Sequence, residues 1–210
     1  MEGTTMSMTR FRFLLATLAT SLIPACGAAT GPTPDGTEKP PGSFTIVQLP
    51  ASTPIFNDSV AFYAKMDDDA EGIIYFQAPG GGRGEKFARL RIKKGSLLTR
   101  PDGSAFAAHD SVLIVMKMTS PRDCQVQLTP SGLKFTAKDP ADLELEYVGV
   151  DDINGDGKVD DGDAAAERKL AIWRQETIGD PYVKIGTVKT EGAAELKAKL
   201  TGFSRYAISY

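Results

Sequence analysis

The sequence predicts an all-β protein: an antiparallel β-sandwich with one calcium-loop insertion and a short helix between two strands. Three observations carry this. Apolar and polar residues alternate with a period of two through most of the chain after Phe44, the signature of strands with one buried face. Turn-forming clusters punctuate the alternation at short intervals: Pro79 with the following glycines, Pro101-Asp102-Gly103, Pro130-Ser131-Gly132 and Gly179-Asp180-Pro181. Residues 152–163, DINGDGKVDDGD, interrupt the strand pattern with an acidic loop of cation-binding spacing.

The alternation is plainest where charge fills the second face. Ala88, Leu90 and Ile92 alternate with Arg89, Arg91 and Lys93; Leu143, Leu145 and Tyr147 with Glu144 and Glu146; Leu196, Ala198 and Leu200 with Lys197 and Lys199. Further strands are expected at 44–49, 60–66, 73–77, 112–118, 125–128, 170–175, 182–188 and 206–210. About ten short strands with regular turns are the pattern of a sandwich. One helix is expected, from Asp163 to about Lys169, with Asp163 as its cap ahead of three alanines.

The ends set the domain organisation. Residues 1–25 read as a signal peptide: Arg10 and Arg12 precede an apolar run of about eleven residues, too short to span a bilayer. The run ends in Ile23-Pro24-Ala25-Cys26-Gly27, which resembles a bacterial lipobox. That resemblance implies lipidation of Cys26 and an extracytoplasmic, membrane-anchored lipoprotein; if the envelope has two membranes, Gly27 after the cysteine implies outer-membrane sorting. The alternative is an ordinary secretory signal cut near Ala25, Ala28 or Ala29. Residues 26–43, rich in Pro, Gly and Thr, are expected to be a solvated, flexible tether. Residues 44–210 make a β-sandwich domain of ordinary size. If Cys26 carries lipid, Cys124 lacks an intramolecular partner and is expected to be a buried or half-buried thiol; if not, a Cys26–Cys124 bridge is open. With 24 basic and 27 acidic residues and no basic stripe, nothing points to nucleic acid.

The loop at 152–163 offers oxygen ligands from Asp152, Asn154, Asp156, Asp160 and Asp163, and the backbone carbonyl of Lys158. Gly157 stands at the sixth position, where the chain must turn sharply. A hard cation takes six or more oxygens, and carboxylates this crowded repel one another without one. Only the register beginning at Asp152 works, because a start at Asp151 puts Ile153 on a ligand position. Val159 is expected as the apolar anchor behind the loop. Asp163 replaces the usual Glu, so magnesium can compete with calcium. Strands on both sides of the loop, in place of paired long helices, argue against a calmodulin-like switch.

Two resemblances follow from these residues. The segment DINGDGKVDDGDAAAERKL resembles one half of a dockerin repeat, which implies metal binding. The motifs I-x-x-G-S-L at 92–97, T-P-S-G-L-x-F at 129–135, D-P-A-x-L-x-L-x-Y at 139–147 and G-F-S-R-Y-A-I-S-Y at 202–210 resemble the β-sandwich domain of zonula occludens proteins, netrin receptors and ankyrins. That resemblance implies an interaction or structural module. Some of its members cleave themselves at His-Phe-Ser, the serine attacking with histidine as base. Here Gly202 takes the histidine's place before Phe203 and Ser204, and an unassisted serine is a poor nucleophile.

Other constellations are weaker. Gly80, Gly81, Gly82 and Gly84 lack the Gly-Lys-Ser/Thr of a phosphate loop and read as a hairpin. Asp67-Asp68-Asp69 reads as a solvated turn, and the adjacent His109-Asp110-Ser111 cannot form a triad. The expected function is therefore non-enzymatic: a lipid-anchored structural or interaction domain with one structural calcium and a possible envelope protein partner. The alternatives are a calcium-dependent adhesion or scaffold-docking module, and an envelope hydrolase or carbohydrate-binding enzyme.

Overall fold

The computed structural model describes Met1 and residues 34–210. The expected signal peptide and Cys26 lie outside the described residues. The fold is all-β and built from antiparallel pairings, as the alternation predicts. Among the described residues, fourteen strands and one α-helix follow in order: β1 (Pro34–Lys39), β2 (Ser59–Lys65), β3 (Ala70–Gln77), β4 (Arg83–Ile92), β5 (Leu97–Thr99), β6 (Ser111–Met118), β7 (Gln125–Thr129), β8 (Lys134–Phe135), β9 (Ala141–Glu146), α1 (Asp161–Glu167), β10 (Ala171–Gln175), β11 (Tyr182–Ile185), β12 (Thr187–Lys189), β13 (Glu195–Leu200) and β14 (Arg205–Ser209).

Two sheets carry the sandwich. One has seven strands in the order β1-β11-β10-β14-β7-β6-β2; the other has five, β12-β13-β9-β4-β3. A two-stranded ribbon, β5-β8, stands beside them. The inner faces meet in one core: Ile74, Leu90, Leu143, Leu145, Leu196 and Leu200 from the five-stranded sheet, and Ile114, Met116, Val126, Leu128, Tyr206 and Ile208 from the seven-stranded one. Every second residue of a strand reaches this core, which is why the period-two pattern was visible in the sequence. One inward position takes no side chain: a Cβ on Gly72 would lie 2.3 Å from the Phe62 ring, so Phe62 fills the space glycine leaves.

Four local expectations are corrected. The stretch 182–188 is two strands, not one. β11 joins the seven-stranded sheet and β12 the five-stranded one, with Gly186 at the crossing. Residues 44–49 alternate but form no ladder. Val47 donates to Ile208 O at 3.0 Å and accepts from Cys124 N at 2.9 Å, and only an isolated bridge joins Gln48 to Asp123. Val47 and Leu49 enter the main core, while Phe44 and Ile46 cover an outer cluster of Ala171, Trp173, Tyr182 and Ala207. The period of two here reflects a strap threading between two apolar environments.

The third correction concerns the tether. Its last part is a strand: β1 pairs with β11 through Pro34↔Ile185, Glu38↔Val183 and Lys39↔Tyr182. Pro34 fits because β1 is an edge strand, where a missing N–H costs no ladder bond. The fourth concerns the helix, whose cap is Asp160 and not Asp163. Asp160 accepts from Gly162 N at 2.7 Å, and Asp163, as the third helical residue, accepts from Asp160 N at 2.9 Å. An acidic cap answered by an acidic residue three positions on satisfies two free amides at once.

Candidate metal centre

The loop 152–163 joins β9 to α1, between the two sheets' strands as expected. Its fold is written by the Asx chemistry of its own side chains. Asp152 Oδ1 accepts from Gly155 N (2.8 Å) and Asp156 N (3.1 Å), and its Oδ2 from Gly157 N (2.9 Å). Asn154 Oδ1 accepts from Asp156 N at 2.8 Å, and Asp156 Oδ1 from Lys158 N at 2.9 Å. Asp163 closes the loop, accepting from Asn154 N at 3.1 Å as well as from Asp160 N. Those backbone amides hold the Asp163 carboxyl below its ordinary range. Gly157 has φ of +84°, the left-handed conformation that the sixth position requires.

The anchor is not where the sequence suggested. Val159 is 72% exposed, whereas Ile153, at the loop's second position, is 5% exposed and belongs to the main core. The loop turns its second residue inward because β9 delivers the chain at the sandwich surface. By the eighth residue the chain has already turned back into solvent. Two further ties were not foreseen. Tyr210 Oη donates to Asn154 O at 3.3 Å, so the last residue of the chain fastens the loop. Lys189 on β12 donates to Glu167 Oε1 at 2.9 Å and to Glu167 O at 3.2 Å, holding the end of α1 and lowering the Glu167 pKa. No local sequence signal marks such long-range partners.

The donor set fits a hard cation: carboxylate, amide and carbonyl oxygens, with no sulfur or imidazole. Among the described residues, no group of three or more His, Cys, Asp or Glu side chains gathers as a ready metal centre. The six expected positions share one loop but do not converge. Asp152 and Asp163 are occupied by amides on both oxygens, while Asp156 and Asp160 are exposed.

The remaining sequence candidates are scattered. Ser204 is buried, and its Oγ accepts from Arg174 Nε at 2.9 Å. A Cβ on Gly202 would lie 3.3 Å from Leu133 O, and Gly202 O accepts from Tyr206 Oη at 2.6 Å. His109 contacts Asp67 at 2.9 Å on the surface, and Asp110 pairs with Arg100 at 2.7 Å. Cys124 is a free, buried thiol whose pKa burial pushes up. Trp173 lies in the outer cluster, covered by Phe44 at 5.5 Å. Among the described residues, no helix is long and apolar enough to cross a membrane. Comparisons of the chain with protein-family models, curated proteins and solved structures give no significant match.

Proposed function

We propose that this chain is a lipid-anchored extracytoplasmic β-domain with a structural or interaction role, and that its loop at 152–163 takes one calcium ion. The observation that carries the metal is the complete spacing of hard oxygen donors around Gly157, on a loop pinned by Ile153, Tyr210 and α1. Asp152, Asn154, Asp156, the Lys158 carbonyl, Asp160 and Asp163 would hold the ion. Its charge would offset the repulsion among the four aspartates. Supporting the anchored location are the lipobox-like Cys26 and the Pro- and Gly-rich approach to β1.

Melting with and without calcium tests the metal. Ion present at about 100 times its dissociation constant stabilises by about 2.7 kcal/mol, roughly 5–10 °C in Tm for a chain of this size. Asp156→Ala should abolish the shift. Equal melting in EDTA and millimolar calcium refutes the site. The docking reading is favoured by one observation, the exposure of Val159 beside the acidic positions. It predicts a partner retained from envelope extracts in calcium and released by chelator.

A further inference from the structure

The seven-stranded sheet has an unusual outer face. Strands β2, β6, β7, β10, β11 and β14 contain no Asp or Glu, and Lys65, Lys117, Lys184 and Arg205 stand at their outward positions. Part of this face is covered: Phe44 and Ile46 pack over Trp173 and Tyr182, and Lys39 Nζ lies 5.1 Å from the Trp173 ring. The part over β14, β7 and β6 is open and forms a shallow groove of about 380 Å³, lined by Val115, Lys117, Thr119, Gln127, Thr129 and Arg205.

Register places the polar residues of this groove in one line. Gln175, Arg205, Gln127, Lys117 and Ser59 lie directly opposite one another across β10, β14, β7, β6 and β2. The Cα atoms of Arg205 and Lys117 are thus two strand spacings apart, roughly 10 Å. Both side chains are long enough to meet at a ligand over Gln127.

Arg205 is held loosely for a half-buried cation. Its amino groups donate to Gln175 Oε1 and Gln127 Oε1, both at 3.4 Å, at the long limit of hydrogen bonding. Its Nε is shielded from solvent and has no hydrogen-bond partner among the described residues. The other part-buried arginines on sheet strands have carboxylate partners: Arg89 is bidentate on Glu144, and Arg174 pairs with Glu176. Arg83 and Arg91 are exposed to water. A half-buried guanidinium with an unmet donor favours an anion strongly, because the alternative leaves a desolvated N–H unpaired.

We propose that the Arg205–Gln127–Lys117 row is a binding subsite for an oxyanion, the carboxylate or phosphate group of an acidic ligand lying across β14, β7 and β6. On binding, the Arg205 guanidinium gives up its two long contacts and turns its donors to the anion. Lys117 closes from the far side, and the Gln127 amide and Thr129 hydroxyl add neutral donors. The site is separate from the loop at 152–163, so it stands or falls independently of calcium.

Titration of the purified full chain with sodium acetate and with inorganic phosphate tests this, following the side-chain Nε–H resonance of Arg205 and the backbone amide of Thr129. Chloride at matched ionic strength is the control. Saturable shifts with either oxyanion and none with chloride are expected, and a preference between the two identifies the ligand's acidic group. Lys117→Gln, at an exposed position, should weaken binding about fivefold, and Arg205→Gln should abolish it. Shifts that rise linearly and equally with chloride overturn the site. So does saturable binding that neither variant changes, and the Lys117 variant decides alone if the Arg205 variant does not fold.

Discussion

The two sheets of this sandwich handle charge on their outer faces in opposite ways. On the five-stranded sheet, acids and bases alternate across strands and neutralise one another. Lys86 Nζ reaches Glu144 at 2.6 Å, Glu195 at 2.7 Å and Glu146 at 3.2 Å, while Arg89 grips both oxygens of Glu144. These contacts follow the register, in which Glu144 opposes both Arg89 and Lys197. On the seven-stranded sheet, the six strands beyond β1 hold bases alone, and Phe44 and Ile46 of the strap cover part of the face. The lesson is that a self-neutralised face needs nothing from outside, whereas the acid-free row of Arg205, Gln127 and Lys117 leaves its cations to meet a ligand. A structural role suits the first face, and ligand recognition the second.

Breaking the neutral face should have the largest effect. Lys86→Met leaves Glu146 opposite Glu195 without its own cation, and Glu195 with Lys197 alone at 2.9 Å. We expect a loss of about 2 kcal/mol, below the 3–5 of a fully buried pair because solvent screens part of it. The midpoint of urea unfolding measures this. Unchanged stability would mean that the network is only surface decoration.

On the other sheet, Phe44→Ala removes the ring stacked 3.7 Å from Tyr182 and edge-on to Trp173. The expected cost is about 1.5 kcal/mol, together with greater quenching of Trp173 fluorescence by acrylamide. A stability loss without increased quenching would show that the strap does not shield the cluster.

Acid sharpens the contrast further. Burial alone would raise the Glu144 pKa, but hydrogen bonds from Arg89 and Lys86 outweigh it and bring it down to about 2. A depressed folded pKa means that Glu144 contributes stability above its ordinary value of 4.5, and that this is lost as pH falls toward 2. Glu146 is shifted upward by its burial and works in the opposite direction, lessening the acid sensitivity. Stability should therefore decline between about pH 4.5 and 2, and Glu144→Gln should flatten that limb; an equally steep limb in the variant would assign it elsewhere.

The smallest effect belongs to the rim. Lys199→Gln removes an exposed partner of Asp142 and should cost no more than about 0.5 kcal/mol in the same urea titration. A larger loss would extend the network beyond its centre at Lys86.

The sequence by itself determined the all-β class, most of the strands, the turns and the loop with its glycine. Each depends on chemistry within a few residues: the two-residue period, the left-handed turn at Gly157, the side-chain caps of aspartate. Only the tertiary structure decided that 182–188 changes sheets at Gly186, that the end of the expected tether becomes β1, and that residues 44–49 are a strap. It also decided which residue anchors the loop, because alternation cannot tell a ladder from a segment passing between two apolar surfaces. Nor can local spacing see that Arg205, Gln127 and Lys117, 78 and 10 residues apart, share one row. That row exists because antiparallel register aligns side chains across strands irrespective of their distance along the chain.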